Sequence, residues 1–395
     1  MTNAEAVDLG KRVFTPSYKQ QPIELVRGEG ARVWDADGRR YLDMLGGIAT
    51  CALGHCHPKL VAAVEGQLRR IWHTSNGVYN EPSLRLADEL CRRSFGKRVF
   101  LCNSGAEANE AALKVARRFH FSKGAPERVE LVCAQGSFHG RTLGALAATG
   151  QPKYQQGVGP LPAGFSFVPY GDVEAVRQAV GPRTAAVMLE AIQGEGGVRV
   201  APRGYLAEVR KICDASGALF ILDEVQTGVG RTGTLWAHEQ EKVVPDVMTL
   251  AKALGNGLPI GAMVATEAVG SALTPGTHAS TFGGNAVACT AALALLRTID
   301  EEGALENCRR SGDYLEGRLH ELQRRVGARV AAIRGRGLLW GVELDGDAAS
   351  LVARCRELGL IVNLAGEKVV RFAPSLLIEP ADLDEAVDLF GRALA

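Results

Sequence analysis

Along the chain, short apolar runs rich in branched residues alternate with longer segments whose apolar positions recur every three or four residues. That alternation is the mark of βαβ units built around a mostly parallel sheet. Three runs stand out, 98–102 (RVFLC), 185–192 (AAVMLEAI) and 218–225 (ALFILDEV). Each reads as a strand buried on both faces, because its apolar residues are consecutive and do not alternate with polar ones. All three end in polar or Gly-rich residues, and in an open parallel sheet such ends face the ligand crevice. The segment 107–120 sets Ala111, Ala112, Val115, Ala116 and Phe119 on one helical face, directly after Asn103-Ser104-Gly105. Further helices are expected at 58–72, 202–216, 285–298 and 304–326.

From residue 304 onward the pattern changes to a long helix, a strand GLLWGVEL, a helix near 350–358, a strand VVRFAP and a final helix. This predicts a smaller α+β domain. The opening segment ELVRGEGARVWDADGRRYLDM is strand-like, with a hairpin turn at Asp37-Gly38, and is expected to pack beside that domain. The expected division is a large domain over 46–290 and a small one made of 1–45 plus 291–395.

Composition narrows the classes of function. The 395 residues are 46% hydrophobic and 23% charged, ordinary values for a globular protein. Lys and Arg number 45 against 44 Asp and Glu, so no broad basic field exists to hold a nucleic-acid backbone. The most apolar stretch, 286–296, is too short to span a bilayer, and the first residues lack the apolar core of a targeting peptide. A cytoplasmic protein with neither nucleic-acid nor membrane partners is expected. Nine scattered cysteines without a CxxC pair fit reduced thiols. Cys51, His55, Cys56 and His57 crowd into CALGHCHP, but adjacent side chains diverge where metal ligands must converge, so a turn is expected there and no metal site.

Three groups can carry chemistry. Ser104-Gly105-Ala106 lie between a strand and a helix, where unpaired N–H groups and the helix dipole suit a phosphate; the ordinary alternative is a plain Ser N-cap. Asp223 follows the apolar run 218–222, and a carboxylate there is costly to bury unless something cationic meets it; otherwise it is a loop-capping acid. Lys252, in DVMTLAKALGNGLPIGAM, follows an apolar stretch, where desolvation lowers an amine's pKa and makes it a nucleophile toward aldehydes. Alone it would be a solvated loop lysine. Together the three fit one ligand: a phosphate seat, a carboxylate for a pyridinium nitrogen and a lysine for an aldehyde. That ligand is pyridoxal phosphate.

The motifs SGAEANE, SFHGRT, QGEGGV, LDEVQTGVGRTG, AKALGNGLP and STFGGN occur in the order found in class III (omega-type) aminotransferases, and the sequence resembles that family over nearly its whole length. GGIATCALGHCHP, HTSN with NEPSLRLADEL, and HASTFGGN are similar to the branch acting on N2-acetylornithine. The resemblance implies fold type I of the pyridoxal-phosphate enzymes, an α/β fold with a mostly parallel seven-stranded-type sheet. It implies that Ser104, Gly105 and Ala106 bind phosphate, Phe138 stacks on the ring with His139 beside it, Asp223 meets the ring nitrogen, Val225 packs on the opposite face and Gln226 bonds the ring hydroxyl oxygen. Thr281 would reach the phosphate of a neighbouring subunit, which implies a homodimer with shared sites.

For substrates, the resemblance implies that Arg141, helped by Ser280, grips the carboxylate far from the reacting amine, as an arginine fork suits a carboxylate. It implies too that Arg371 is the second carboxylate receptor and that Glu195 pairs with it until glutamate needs that arginine. The reaction implied is transfer of the terminal amine of N2-acetylornithine to 2-oxoglutarate. Related donors, namely ornithine, succinylornithine, succinyldiaminopimelate and 4-aminobutyrate, stay open. Tyr18 matches only loosely and is left outside the site. Ala191 departs from the family, which usually has proline before IQGEGG.

Two other readings account for less of the sequence. Gly228-Val-Gly230-Arg-Thr-Gly233 matches GxGxxG, yet the following TLWAHEQEKVVPD is too short and mixed for the helix a dinucleotide fingerprint opens. A catalytically silent binding protein of the same fold would be expected to lose Lys252, Asp223 or one of the two arginines, and this chain keeps all four.

Overall fold

The computed structural model describes residues 1–395. Its centre is a seven-stranded sheet in the order Arg98–Cys102, Gly261–Ala265, Val247–Leu250, Leu219–Asp223, Thr184–Glu190, Glu130–Ala134, Phe165–Val168. Only Gly261–Ala265 runs antiparallel to its neighbours; the other pairs are parallel. The expected mostly parallel α/β sheet is therefore present.

Strand periodicity explains its layering. In Thr184–Glu190, Ala186 and Met188 face one core with Ala112, Val115 and Ala116 of helix Gly105–Ser122. Val187 and Leu189 face a second core with Leu206, Val209 and Cys213 of helix Tyr205–Ser216. Both faces are covered, which is why the strand reads as a continuous apolar run.

Two expected strands end earlier than the hydrophobicity suggests. The run read as 185–192 leaves the sheet after Glu190, and Ile192–Gln193 pairs separately with Arg199–Val200. The chain turns at Ala191, the alanine that stands where the family usually has proline; the Tyr170 hydroxyl donates to the carbonyls of Glu190 (2.8 Å) and Ala191 (3.0 Å) and holds the turn. Likewise 218–225 ends as a strand at Asp223, whose carboxylate accepts from the Val225 N–H two residues on.

A second, antiparallel sheet contains Val330–Arg336, Leu339–Leu344, Val369–Phe372 and Asn363–Leu364, packed by helix Ala304–Val326, with Phe390 of helix Pro380–Leu394 against Phe372. The N-terminal strands Leu25–Glu29, Arg32–Asp35 and Arg40–Asp43 form a meander, and its last strand pairs in parallel with Leu360–Ile361. Gly38 takes φ +84° in the expected turn. Helix Ala286–Glu301 packs on Pro58–Leu68 and Glu81–Arg92. No helix is long and apolar enough to cross a membrane.

The residues 228–233 open no helix; a short 3₁₀ turn, Ala237–Glu241, follows. Arg231 within them is fully buried and donates to the carbonyls of Leu338 (3.1 Å) and Pro374 (2.5 Å). The glycine-rich loop thus ties the large sheet to the C-terminal one. In CALGHCHP the imidazoles go separate ways, His55 to Asp43 (2.8 Å) and His57 to Glu302 (3.1 Å), while Cys56 is exposed.

Candidate active site

The C-terminal ends of the parallel strands converge on a cavity of about 410 Å³. Ser104, Gly105, Ala106, Phe138, His139, Arg141, Asp223, Val225, Gln226 and Lys252 all line it. One polar helix end, one acid and one lysine, distant in sequence, meet there because neighbouring strands of the sheet deliver them.

Ser104 caps helix Gly105–Ser122, its hydroxyl accepting from the Glu107 N–H at 3.1 Å. The N–H groups of Gly105 and Ala106 belong to the first helical turn, which has no intrahelical acceptor. A Cβ at Gly105 would stand 2.8 Å from Val225 Cγ1, and one at Gly140 2.7 Å from the Ala106 Cβ. Glycine at both places keeps the cradle open.

Asp223 is 4% exposed. Its Oδ2 accepts from His139 Nδ1 (2.7 Å) and Asn109 Nδ2 (2.8 Å), and its Oδ1 from the Val225 N–H (3.0 Å). Burial works against a charged His139, but the hydrogen bond and charge of Asp223 outweigh it and raise the imidazole's pKa. Glu190 stands beside Asp223 on the adjacent strand, Cα partner to Cα partner. Its carboxyl is also buried and accepts from the N–H groups of Phe138 (3.0 Å) and Gly194 (3.3 Å). Desolvation, with Asp223 adding to it, pushes the Glu190 carboxyl up to about 7 against the opposing pull of His139.

Lys252 begins a 3₁₀ turn after strand Val247–Leu250 and takes φ +40°, a left-handed conformation costly for lysine. The sheet end and the following Gly-rich turn hold it there. Its Nζ makes no hydrogen bond or ion pair. Burial brings the amine down to about 8, partly offset by Glu195, with Arg371 adding to the lowering.

Arg371 and Glu195 lie beyond the cavity wall. Arg371 Nη1 donates to Glu195 Oε1 (2.5 Å) and to Gln226 Oε1 (2.9 Å), while Gln226 Nε2 reaches Glu195 Oε1 at 3.4 Å. Gln226 therefore links this pair to the cavity. Arg371 is fully buried, and its Nη2 has no partner. Burial opposes ionisation of Glu195, yet Arg371 holds its carboxyl below the ordinary value.

Not every expected residue meets in this cavity. Ser280 and Thr281 line a separate one with Glu107 and His278, and the Ser280 hydroxyl accepts from Asn103 Nδ2 at 3.1 Å. Within one chain Ser280 does not share the Arg141 cavity. Tyr18 is 82% exposed and lines an N-terminal groove. Two residues went unread in the sequence, Asn109 and Glu190. Both carried a signal: Asn109 is a polar residue on the apolar face of its helix, and Glu190 closes an apolar run as Asp223 does.

The family model for "Aminotransferase class-III" matches residues 13–394. The chain belongs to this family. An acetylornithine aminotransferase of Myxococcus xanthus is 55% identical over 379 residues, covering 96% of this chain and 94% of the relative. Among solved structures, the ornithine aminotransferase of Toxoplasma gondii ME49 superposes with a TM-score of 0.95 at 33% identity, covering 100% of this chain and 95% of its own. The N-acetylornithine aminotransferase of Stenotrophomonas maltophilia K279a gives 0.84 at 39% identity, with 98% of each chain covered.

Class-III aminotransferases depend on pyridoxal phosphate. The cavity of this class-III aminotransferase fits that group on its own terms. It offers a glycine cradle at a helix N-terminus for the phosphate, a buried carboxylate already held by three donors, and an unpartnered, desolvated amine. Two buried polar atoms beside them, His139 Nε2 and Asn109 Oδ1, also lack partners.

Proposed function

We propose that the chain transfers the terminal amino group of N2-acetylornithine to 2-oxoglutarate, giving N-acetylglutamate 5-semialdehyde and glutamate, as a step of arginine biosynthesis. The observation that carries this reading is the convergence of Asp223, Lys252 and the Gly105–Ala106 cradle in one cavity, with the Glu195–Arg371 pair adjoining it. The names of the 44–55% identical relatives support the choice of donor.

In this reading Gly105 and Ala106 hold the phosphate of pyridoxal phosphate, Phe138 and Val225 flank its ring, and Gln226 serves the ring hydroxyl. When bound, the cofactor supplies an aldehyde that receives the amino group and a ring that takes up electrons from the broken C–H bond. Asp223, pinned by His139 and Asn109, keeps a proton on the ring nitrogen, since a buried carboxylate favours a cation beside it. Lys252 Nζ removes the proton from the carbon bearing the donor amine and returns one later; an amine whose pKa is near 8 suits both tasks. Arg141 receives the distal carboxylate of the donor. Glu195 neutralises Arg371 while the donor is bound and releases it to the α-carboxylate of glutamate in the second half-reaction.

The reading extends to organisation. A cytoplasmic homodimer would bring Thr281, with Ser280, to the neighbouring subunit's site; the placement of both outside their own chain's cavity, with Thr281 exposed, supports this. The expected association of 1–45 with 291–395 is supported by the pairing of Arg40–Asp43 with Leu360–Ile361, whereas the boundary after 290 falls inside helix Ala286–Glu301, which packs on helices of the large domain.

The test is to mix cofactor-loaded protein separately with N2-acetylornithine and with ornithine, and to follow loss of the aldehyde form's visible absorbance in a single turnover. Much faster loss with the acetylated donor is expected. Preference for free ornithine would move the chain to the ornithine branch, and no change with either would remove the proposed substrate.

A further inference from the structure

The segment GQPKYQQG has no role in the chemistry above, yet it forms a tightly sewn turn at the cavity mouth. Pro152–Tyr154 is a 3₁₀ turn. Gln151 Nε2 donates to the Ser137 carbonyl (3.2 Å) on one side of it. Gln155 Nε2 donates to the carbonyls of Leu146 (3.1 Å) and Thr149 (3.0 Å) on the other. Both anchors belong to the loop and short helix that carry Phe138 and Arg141, so the Tyr154 ring is fixed relative to them.

The ring is used on its face and against a second ring. The Arg141 guanidinium carbon lies 3.9 Å from the Tyr154 centroid, and Phe138 meets Tyr154 edge-on at 5.9 Å with an interplanar angle of 86°. Arg141 also lies 5.4 Å from the Phe138 centroid. The guanidinium has no carboxylate partner in the chain and is exposed. An exposed arginine with no anchor samples many rotamers, and ordering it on binding costs affinity. Stacking on a ring holds the guanidinium by cation–π attraction while leaving its N–H edge free, and that edge is what a carboxylate needs.

We propose that Tyr154 is a positioning residue that fixes the Arg141 guanidinium for the distal carboxylate of the amine donor and thereby sets the preference for donors that carry one. The proposal rests on the reading of Arg141 as that carboxylate's receptor. Tyr154 itself does not line the cavity. Its contribution is preorganisation, so its loss belongs in KM, with kcat largely retained.

The test compares N2-acetylornithine with N-acetyl-1,4-diaminobutane, the same amine without the carboxylate, in the cofactor-loaded enzyme. Tyr154→Leu is expected to lower the ratio of kcat/KM for the two donors by about threefold to thirtyfold, the range a cation–π contact spans. The change should appear as a higher KM for the carboxylated donor. Tyr154→Phe, which keeps the ring face, should restore the ratio. An unchanged ratio in Tyr154→Leu, or an equal loss with both donors, overturns the proposal. Arg141→Leu separates the two ideas. If it leaves the preference for the carboxylated donor intact, the reading of Arg141 fails; if it abolishes the preference while Tyr154→Leu does not, Tyr154 alone is refuted.

Discussion

Arg371 Nη1 lies 2.5 Å from Glu195 Oε1, in a pair where the arginine is wholly buried and the carboxylate side chain 23% exposed. The asymmetry suits a switch: the acid has a path toward solvent, whereas the arginine, held also by Asn363 and Gln226, stays in place. In the proposed reading, removing the acid frees Arg371 for an α-carboxylate at all times. Glu195→Ala should raise kcat/KM for glutamate relative to N2-acetylornithine at least about tenfold, or about 1.4 kcal/mol. Steady-state kinetics with both amino donors checks this, and relative rates unchanged from the parent would sink it.

Lys252 is the one amine lining the cavity, and in the proposed reaction the proton transfer rests on it. Lys252→Ala should lower kcat by about 10²- to 10⁴-fold while circular dichroism and the melting temperature stay near those of the parent. Turnover at a normal rate would exclude the assigned role.

Gly105 has no room for a methyl group because Val225 Cγ1 would lie 2.8 Å from it. Gly105→Ala must push Val225 into the cavity or tilt the helix start, at about 1–3 kcal/mol. Weaker pyridoxal-phosphate binding by the apoprotein, measured by fluorescence titration, is the expected result. Unaltered affinity would show that the cradle is not the phosphate seat.

Glu190 carries a pH signature. Its carboxyl titrates near 7 in the folded protein against an ordinary 4.5, so the native state binds that proton more tightly than the unfolded chain does. Its stabilising contribution is complete below 4.5 and is lost as pH rises toward 7. Compared with Glu190→Gln, which cannot ionise, the parent's melting temperature should fall across that window by several degrees. Parallel pH profiles for the two proteins would refute the shift.

The strands around the site were legible because burial on both faces leaves an uninterrupted apolar run, as in Thr184–Glu190. Their ends were less so. Hydrophobicity continues through Ala191 and Ile192, but a carbonyl-bound tyrosine from a distant segment, Tyr170, turns the chain there. Glu190 was overlooked because an acid after an apolar run is commonplace, and only its register opposite Asp223 makes it unusual.

The sequence by itself determined the alternation that builds the parallel sheet, the strand-to-helix step at Ser104 and the identities of the acid and the lysine, since local periodicity and side-chain chemistry are properties of neighbouring residues. Tertiary structure alone decided which of those groups meet. It joined Glu195 to Arg371 across 176 positions, set Tyr154 beneath Arg141 and sent Ser280 and Thr281 to another cavity. Contacts of that kind depend on strand order and loop path, which no short stretch of sequence encodes.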